Sequence, residues 1–366
     1  MFLATILLII ILGVLIFVHE LGHFLIAKKN GIRVDEFAIG FPPKLWSIEK
    51  NGTKYSINLI PFGGFVKIFG ENIDEEAGDP NRKDSFLNKS KFVQASVLVG
   101  GVLFNVIFAY ILISISLMAG FPSIVTDQNS GDFSDSYVIV SGVINDSPAK
   151  ISGIEPGDQI LQIVKGEKTV SGDEITISNI QDTIANNDTS EVVLTVRRSG
   201  EEKIITLNSE IGIISDKPAI GISMERIGIL KYSFFKALGN GLILTGQTIK
   251  AVAVGLVTLI GTAVVGNASL DDVAGPVGIV GLIDSARSFG FYYLLTFTAF
   301  ISLNLAVLNI LPLPALDGGR LLVILLEVII RRPIKSKIVN WINGIGFALL
   351  ILFMLVITVN DILRLI

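Results

Sequence analysis

The chain has two histidines, four residues apart, in the run His19-Glu20-Leu21-Gly22-His23. On a helix, positions i and i+4 share one face about a turn apart, so both imidazoles can reach one metal ion. Glu20, beside the first of them, is then placed to take a proton from a water held at that ion. A zinc site of the catalytic type needs a third protein ligand and one open position. With no cysteine and no other histidine in the chain, that ligand must be a carboxylate. The candidate is Asp317, in Asn309-Ile310-Leu311-Pro312-Leu313-Pro314-Ala315-Leu316-Asp317-Gly318-Gly319. Two prolines end the apolar run there, and broken backbone at membrane depth must pack on protein or line a cavity.

The elements that would carry these groups are apolar. Of 366 residues, 51% are hydrophobic and 17% charged, and mean hydropathy is +0.67. A soluble protein carries about 25% charge. No charge occurs over 2–18, 92–126, 288–316 or 338–360, and a bilayer core takes about 20 apolar residues of helix. Four transmembrane helices are expected, with room for one water-soluble domain. His19 and His23 fall inside the first, where ionisable groups are costly and usually functional. That helix has no basic leader and no small-residue cleavage site, and so reads as a retained span rather than a signal peptide. Net charge is −4 with no long basic tract, which argues against nucleic acid as a partner. The absence of cysteine excludes disulfides, thiolate metal sites and a thiol nucleophile.

Eleven Lys or Arg lie between Lys28 and Lys91, and a second basic segment runs Arg331-Arg332-Pro333-Ile334-Lys335-Ser336-Lys337. Basic loops mark the cytoplasmic side, so the amino terminus and the region Ser123–Ala286 are expected outside. The divisions read as 1–26, the first span; 27–91, a cytoplasmic loop; 92–121, the second span; and 122–226, an outer domain. A helical region over 227–287, the third span over 288–330, and the connector with the fourth span over 331–366 complete the chain. For Asp317 to lie in the same leaflet as His19 and His23, the third span must run in the direction of the first. The stretch from Lys231 to about Gly266 is therefore read as a surface-lying amphipathic helix, although Ala251–Leu270 is uncharged.

Within the inner loop, Tyr55–Leu59 and Phe65–Phe69 alternate like short strands around Ile60-Pro61-Phe62-Gly63-Gly64, which reads as a membrane-associated β-hairpin. Its exposed edge could pair with an extended peptide, which places Gly63, Gly64 and Phe65 among the candidate substrate-binding residues. The outer region contains Tyr137–Val140, Val143–Ala149, Ile154-Glu155-Pro156-Gly157-Asp158-Gln159-Ile160-Leu161, Val192–Val196 and Lys203–Leu207. Short strands, one short helix and a Pro-Gly-Asp turn suggest a small α+β barrel. Ser147-Pro148-Ala149 followed by Gly153-Ile154-Glu155-Pro156-Gly157-Asp158 resembles a PDZ domain of the bacterial protease type. Such domains take a peptide or chain end along a strand edge, and Ile220-Gly221-Ile222 is the candidate binding loop.

Taken together, the His-Glu-x-x-His run, the Asn309 to Gly318 segment and the PDZ-like region resemble the site-2 protease family, peptidase M50. The bacterial regulator of sigma-E protease type is the nearer match. Gly63-Gly64-Phe65-Val66-Lys67, Gly101-Val102-Leu103-Phe104-Asn105 and Gly275-Pro276-Val277-Gly278-Ile279 carry the likeness further. One PDZ-like unit is recognisable where the longest members have two. The resemblance implies a zinc metalloendopeptidase of the bacterial inner membrane, its active site towards the cytoplasm. Its substrates would be single-pass membrane proteins, such as anti-sigma factors or remnant signal peptides, cut in regulated intramembrane proteolysis.

On that reading Zn2+ is held by His19, His23 and Asp317, and Glu20 is the catalytic base. Asn309 is a candidate donor to the developing oxyanion or the substrate backbone, and Pro312 shapes the loop that presents Asp317. Asn105 is either a substrate contact or interhelical glue. Two other classes stand beside this one: a membrane metal-ion transporter, and a non-catalytic scaffold using its PDZ-like domain. A transporter repeats its ligands along a path, and one constellation is visible here.

Overall fold

The computed structural model describes residues 2–71, 82–124, 133–186, 191–198, 200–212, 217–266, 273–288 and 291–364. It divides into two compact units. The first comprises Met1–Ser114, Leu238–Asp284 and Leu294–Ile366, and the second Ile115–Ala237 with Ser285–Tyr293.

The first unit opens with helix α1, Phe2–Lys29, which ends at Lys28 and Lys29 with Gly31 in the left-handed region beyond. Strands β1, Val34–Lys50, and β2, Thr53–Ile68, follow, and α2 spans Lys91–Ala119. Gly22 of α1 and Gly100 of α2 meet backbone to backbone, leaving no space for a Cβ at either. Small residues of this kind let helices approach closely in a membrane.

The hairpin differs from the expected one. Tyr55–Leu59 and Phe65–Ile68 both belong to β2 and do not face each other: Phe37 lies opposite both Tyr55 and Val66, and Ile39 opposite both Ile57 and Gly64. The first half of β1 is thus flanked on both sides by β2, while Trp46–Lys50 pairs with Thr53–Ile57. The reversal is at Asn51-Gly52, with φ of 53° and 69°. Both residues occupy the left-handed region that a tight hairpin turn requires, and Asn-Gly is its strongest sequence signal. Phe17, Phe24, Phe37 and Tyr55 seat the sheet on α1, with ring centroids 5.0–6.5 Å apart.

The sheet reaches far along the helix. Gly13 lies against the Pro61 carbonyl, and Gly63 against Ile16, so the bend at Pro61–Gly63 stands about 15 Å along α1 from His23.

The remaining helices of the first unit come from the second half of the chain. They are α5, Phe234–Val264; α6, Pro276–Ser288; α7, Phe291–Ile310; α8, Asp317–Ile330; and α9, Ser336–Leu363. Some of their ends fall in the second unit. Ile283 of α6 and Leu294, Phe297 and Ile301 of α7 pack with Ala4, Leu8, Ile11 and Leu15 of α1. Asp361 of α9 is buried and accepts from the Gly275 and Gly278 amides at 3.2 and 2.8 Å, capping α6. Among the described residues five helices are long and apolar enough to cross a membrane: α1, α2, α5, α7 and α9. The fifth is α5, which the sequence reading laid on the surface; the tail of its uncharged stretch, 267–270, lies outside the described residues. At 14 residues α8 is too short to span.

The second unit is a sheet with two short helices. Strands β3, Phe121–Ile124, and β4, Phe133–Val143, precede α3, Pro148–Ile151. Then come β5, Gln159–Lys165; β6, Lys168–Ser171; α4, Ile177–Ile184; β7, Val192–Arg198; β8, Glu201–Leu207; and β9, Ile222–Leu230. The order is β3-β9-β4-β5-β7-β8, with β6 beside β5. Val138, Val140, Ile160, Ile163, Leu194 and Ile220 fill its core. The expected Pro156-Gly157-Asp158 turn is present: Gly157 has φ 97° and the fully buried Asp158 receives both nitrogens of a bidentate Arg198 at 2.6 Å. That carboxylate raises the Arg198 pKa above its ordinary value.

Candidate metal centre

His19 and His23 lie on the buried face of α1 and point their Nε2 atoms at one spot, 3.1 Å apart. Asp317 arrives from the other end of the chain, its Oδ2 2.9 Å from His19 Nε2 and 3.3 Å from His23 Nε2. These three side chains could hold a single metal ion. Ligand atoms about 2.0–2.1 Å from a tetrahedral metal sit roughly 3.3 Å from one another. The observed spacings match three corners of such a site. His23 Nδ1 donates to the Val97 carbonyl at 2.8 Å. That bond puts the proton on Nδ1 and leaves the Nε2 lone pair free for a metal.

Two neighbours on α2 complete the surroundings of the histidines. Asn105, fully buried, places its side-chain amide 3.4 Å from His19 Nδ1, and Ser302 Oγ of α7 donates to the Asn105 carbonyl at 2.9 Å. A Cβ on Gly101 would lie within 2.7 Å of the His19 Cε1 and His23 Cε1 atoms. Only glycine leaves the imidazoles their space at that position.

Glu20 is half-buried and accepts a hydrogen bond at 3.0 Å from the Val66 amide. The strand run Gly64–Ile68, at the edge of the small sheet, therefore touches the carboxylate that the sequence reading made the base. Gly64 and Phe65 precede Val66 on that edge, while Gly63 packs on Ile16.

The loop between α7 and α8 brings Asp317 into place. It turns back on itself, Leu313 N donating to Leu311 O at 2.7 Å, and Gly318 and Gly319 press against the carbonyls of Ile310, Leu311 and Leu313. Ala315 has φ 71°, a left-handed conformation that costs a residue with a Cβ about 1–2 kcal/mol. Its amide donates to Asn343 Oδ1 of α9 at 3.2 Å. Asn309 is half-buried at the end of α7. Pro312 is exposed in the loop.

The peptidase M50 family model matches residues 7–353, which takes in both histidines and Asp317. The chain belongs to peptidase family M50. Its relatives include a protein of Clostridium acetobutylicum whose name assigns it to the zinc metalloproteases, 36% identical over 96% of this chain and 94% of that one. The zinc metalloprotease RasP of Geobacillus kaustophilus is 29% identical over 97% and 96% of the two chains. The regulator of sigma-W protease RasP of Bacillus subtilis is 30% identical over 98% and 97%.

For this M50 peptidase, sequence reasoning missed the groups that act through backbone or from a distance. Val97 offers a carbonyl and Val66 an amide, which any residue type could supply. Asn343 carried a signal that went unread, an amide in an apolar run of α9, where a polar group needs a partner.

Proposed function

We propose that this chain is a zinc-dependent endopeptidase that hydrolyses single-pass membrane proteins at or within the bilayer. The observation that carries the reading is the meeting of His19, His23 and Asp317 Oδ2 within 3.3 Å, next to Glu20 on the same helix. His19, His23 and Asp317 would hold the zinc, which when bound lowers the pKa of a water and polarises a carbonyl. Glu20 accepts the proton of the attacking water and passes it to the leaving amine. A transmembrane substrate hides its amides in its own helix, so it must unwind. The edge Gly64–Ile68, which includes Gly64 and Phe65 and follows directly on Gly63, would hold the unwound segment by strand addition. Asn309 is the candidate donor to the developing oxyanion, and Pro312 shapes the loop that presents Asp317. Water would enter from the cytoplasmic side; a cavity of about 110 Å³ lined by Glu71, Gln94, Arg320 and Glu327 among others lies along α8, although His19, Glu20, His23 and Asp317 do not line it.

In the membrane, α1, α2, α7 and α9 are the four spans. A full crossing by α5 would reverse α7 and carry Asp317 to the opposite leaflet from His19 and His23, so on this reading α5 makes no separate crossing, although residues between Ala251 and Thr262 line a groove with Phe300, Asn304 and Leu308 of α7. The basic segments Lys28–Lys91 and Arg331–Lys337 face the cytoplasm of a bacterium. The second unit is then extracytoplasmic and PDZ-like. In support, among the described residues β3 covers only Ile227–Leu230 of β9, which leaves Ile222–Arg226 as a candidate strand edge on which a peptide or chain end could add, beside Gly221 with φ 82°. The relative named as a regulator of sigma-W protease supports a regulatory membrane protein, such as an anti-sigma factor, as substrate. Transport and scaffolding leave Glu20 unused and are not favoured.

The test uses the purified full chain in detergent with a single-pass substrate. Cleavage should stop with a zinc chelator and return on adding zinc. Glu20→Gln should lower turnover by about 10²–10⁴-fold while the protein keeps its zinc. Cleavage that survives both treatments contradicts the assignment.

A further inference from the structure

We propose that Asn343 of α9 is a positioning residue for Asp317: it pins the left-handed Ala315 and so fixes the carboxylate opposite the two imidazoles. The inference rests on the reading of Asp317 as a metal ligand and adds a residue to that site. Three observations carry it. Asn343 is a half-buried amide in a helix whose neighbours Ile342 and Ile345 are exposed and apolar. Such a group is retained at membrane depth where it finds a polar partner, and here it accepts from the Ala315 amide at 3.2 Å. Ala315, two residues before Asp317, has φ 71°, a conformation that residues with a Cβ leave unless something holds them.

One turn further along the same face of α9, Gly346 meets Pro314 so closely that a Cβ there would overlap the proline ring. The helix thus clamps both Pro314 and Ala315, one by shape and one by a hydrogen bond. The loop has no regular secondary structure of its own between α7 and α8. Without the clamp, Ala315 would relax to negative φ and swing Asp317 away from His19 Nε2. The hydrogen bond of Asn343 is to the loop and not to His19, His23 or Asp317, so its effect on the carboxylate runs through the loop.

The experiment is Co2+ binding to the purified full chain, followed by the cobalt absorption bands and by competition with Zn2+. Asn343→Leu should weaken binding by about 10–100-fold, the usual scale for partners that orient a ligand, and should alter the cobalt bands. Ala315→Gly removes the conformational penalty, so adding it to Asn343→Leu should restore wild-type affinity and bands. A general loss of packing would not be cured by that glycine. If Asn343→Leu fails to assemble, Gly346→Ala, which pushes on Pro314 and favours the helix, should show the same weakening. Wild-type binding by Asn343→Leu overturns the proposal, as does a loss that Ala315→Gly leaves untouched. Asp317→Ala serves as control: wild-type cobalt binding by that variant defeats the ligand assignment itself, a separate failure.

Discussion

The two sources of the candidate metal site are built on opposite physical terms. His19 and His23 are four residues apart on one helix, so the spacing of their side chains follows from helical geometry alone. Around them α2 adds a glycine that clears space, a carbonyl that sets one tautomer and an amide beside the other ring. Asp317 sits after a proline-broken loop that depends on α9 to keep its shape. A site needs one rigid half as a reference and tolerates a second half that is held in place from outside. If the proposed site holds its metal, the comparison makes the carboxylate the movable ligand, and perturbations on the two sides should differ in kind as well as in size.

On the rigid side, the largest effect is expected from Gly101→Val. A branched side chain there enters the space of both imidazoles, so α1 and α2 must part or the rings must rotate away. Overpacking of this sort costs about 1–3 kcal/mol, and zinc content should fall to background while the chain still assembles. Zinc retained at the wild-type level would show that the histidine side adapts as readily as the loop. A smaller effect should follow Asn105→Leu, which removes the amide beside His19 Nδ1. Zinc affinity should drop by about 10–100-fold, with turnover recovered at saturating zinc. Unchanged affinity would leave Asn105 as packing between α2 and α7. The loop-side variants sharpen the contrast, because a glycine at Ala315 can rescue Asn343→Leu but has no counterpart for Gly101→Val.

Legibility in the sequence followed the same divide. The histidine pair could be read directly, since a five-residue run on a helix needs no tertiary information to bring its ends together. Asp317 was reached by elimination, there being no third histidine and no cysteine, and its loop was visible through Pro312 and Pro314. The partners that fix these groups were not, because Val97 and Val66 act through backbone atoms and Asn343 lies 28 residues beyond Ala315.

The small sheet shows the same limit. Alternation marked Tyr55–Leu59 and Phe65–Phe69 as strands but could not say that both flank Phe37. The Asn51-Gly52 turn, visible in the sequence, was overlooked in favour of the glycines at 63 and 64. Gly63 serves close approach to Ile16 of α1 and makes its bend at φ 82°, while Gly64 lies against the Ala38 carbonyl of β1. For α5, composition is compatible with either a span or a surface helix, and only the proposed topology, through the placement of Asp317, favours the second.

Zinc stoichiometry in four purified proteins tests the central claim most directly. Wild type and Glu20→Gln should each carry one zinc per chain, while His23→Ala and Asp317→Ala should carry none. A full equivalent of zinc in Asp317→Ala would contradict the account, because the ion would then be held without the carboxylate that defines the site.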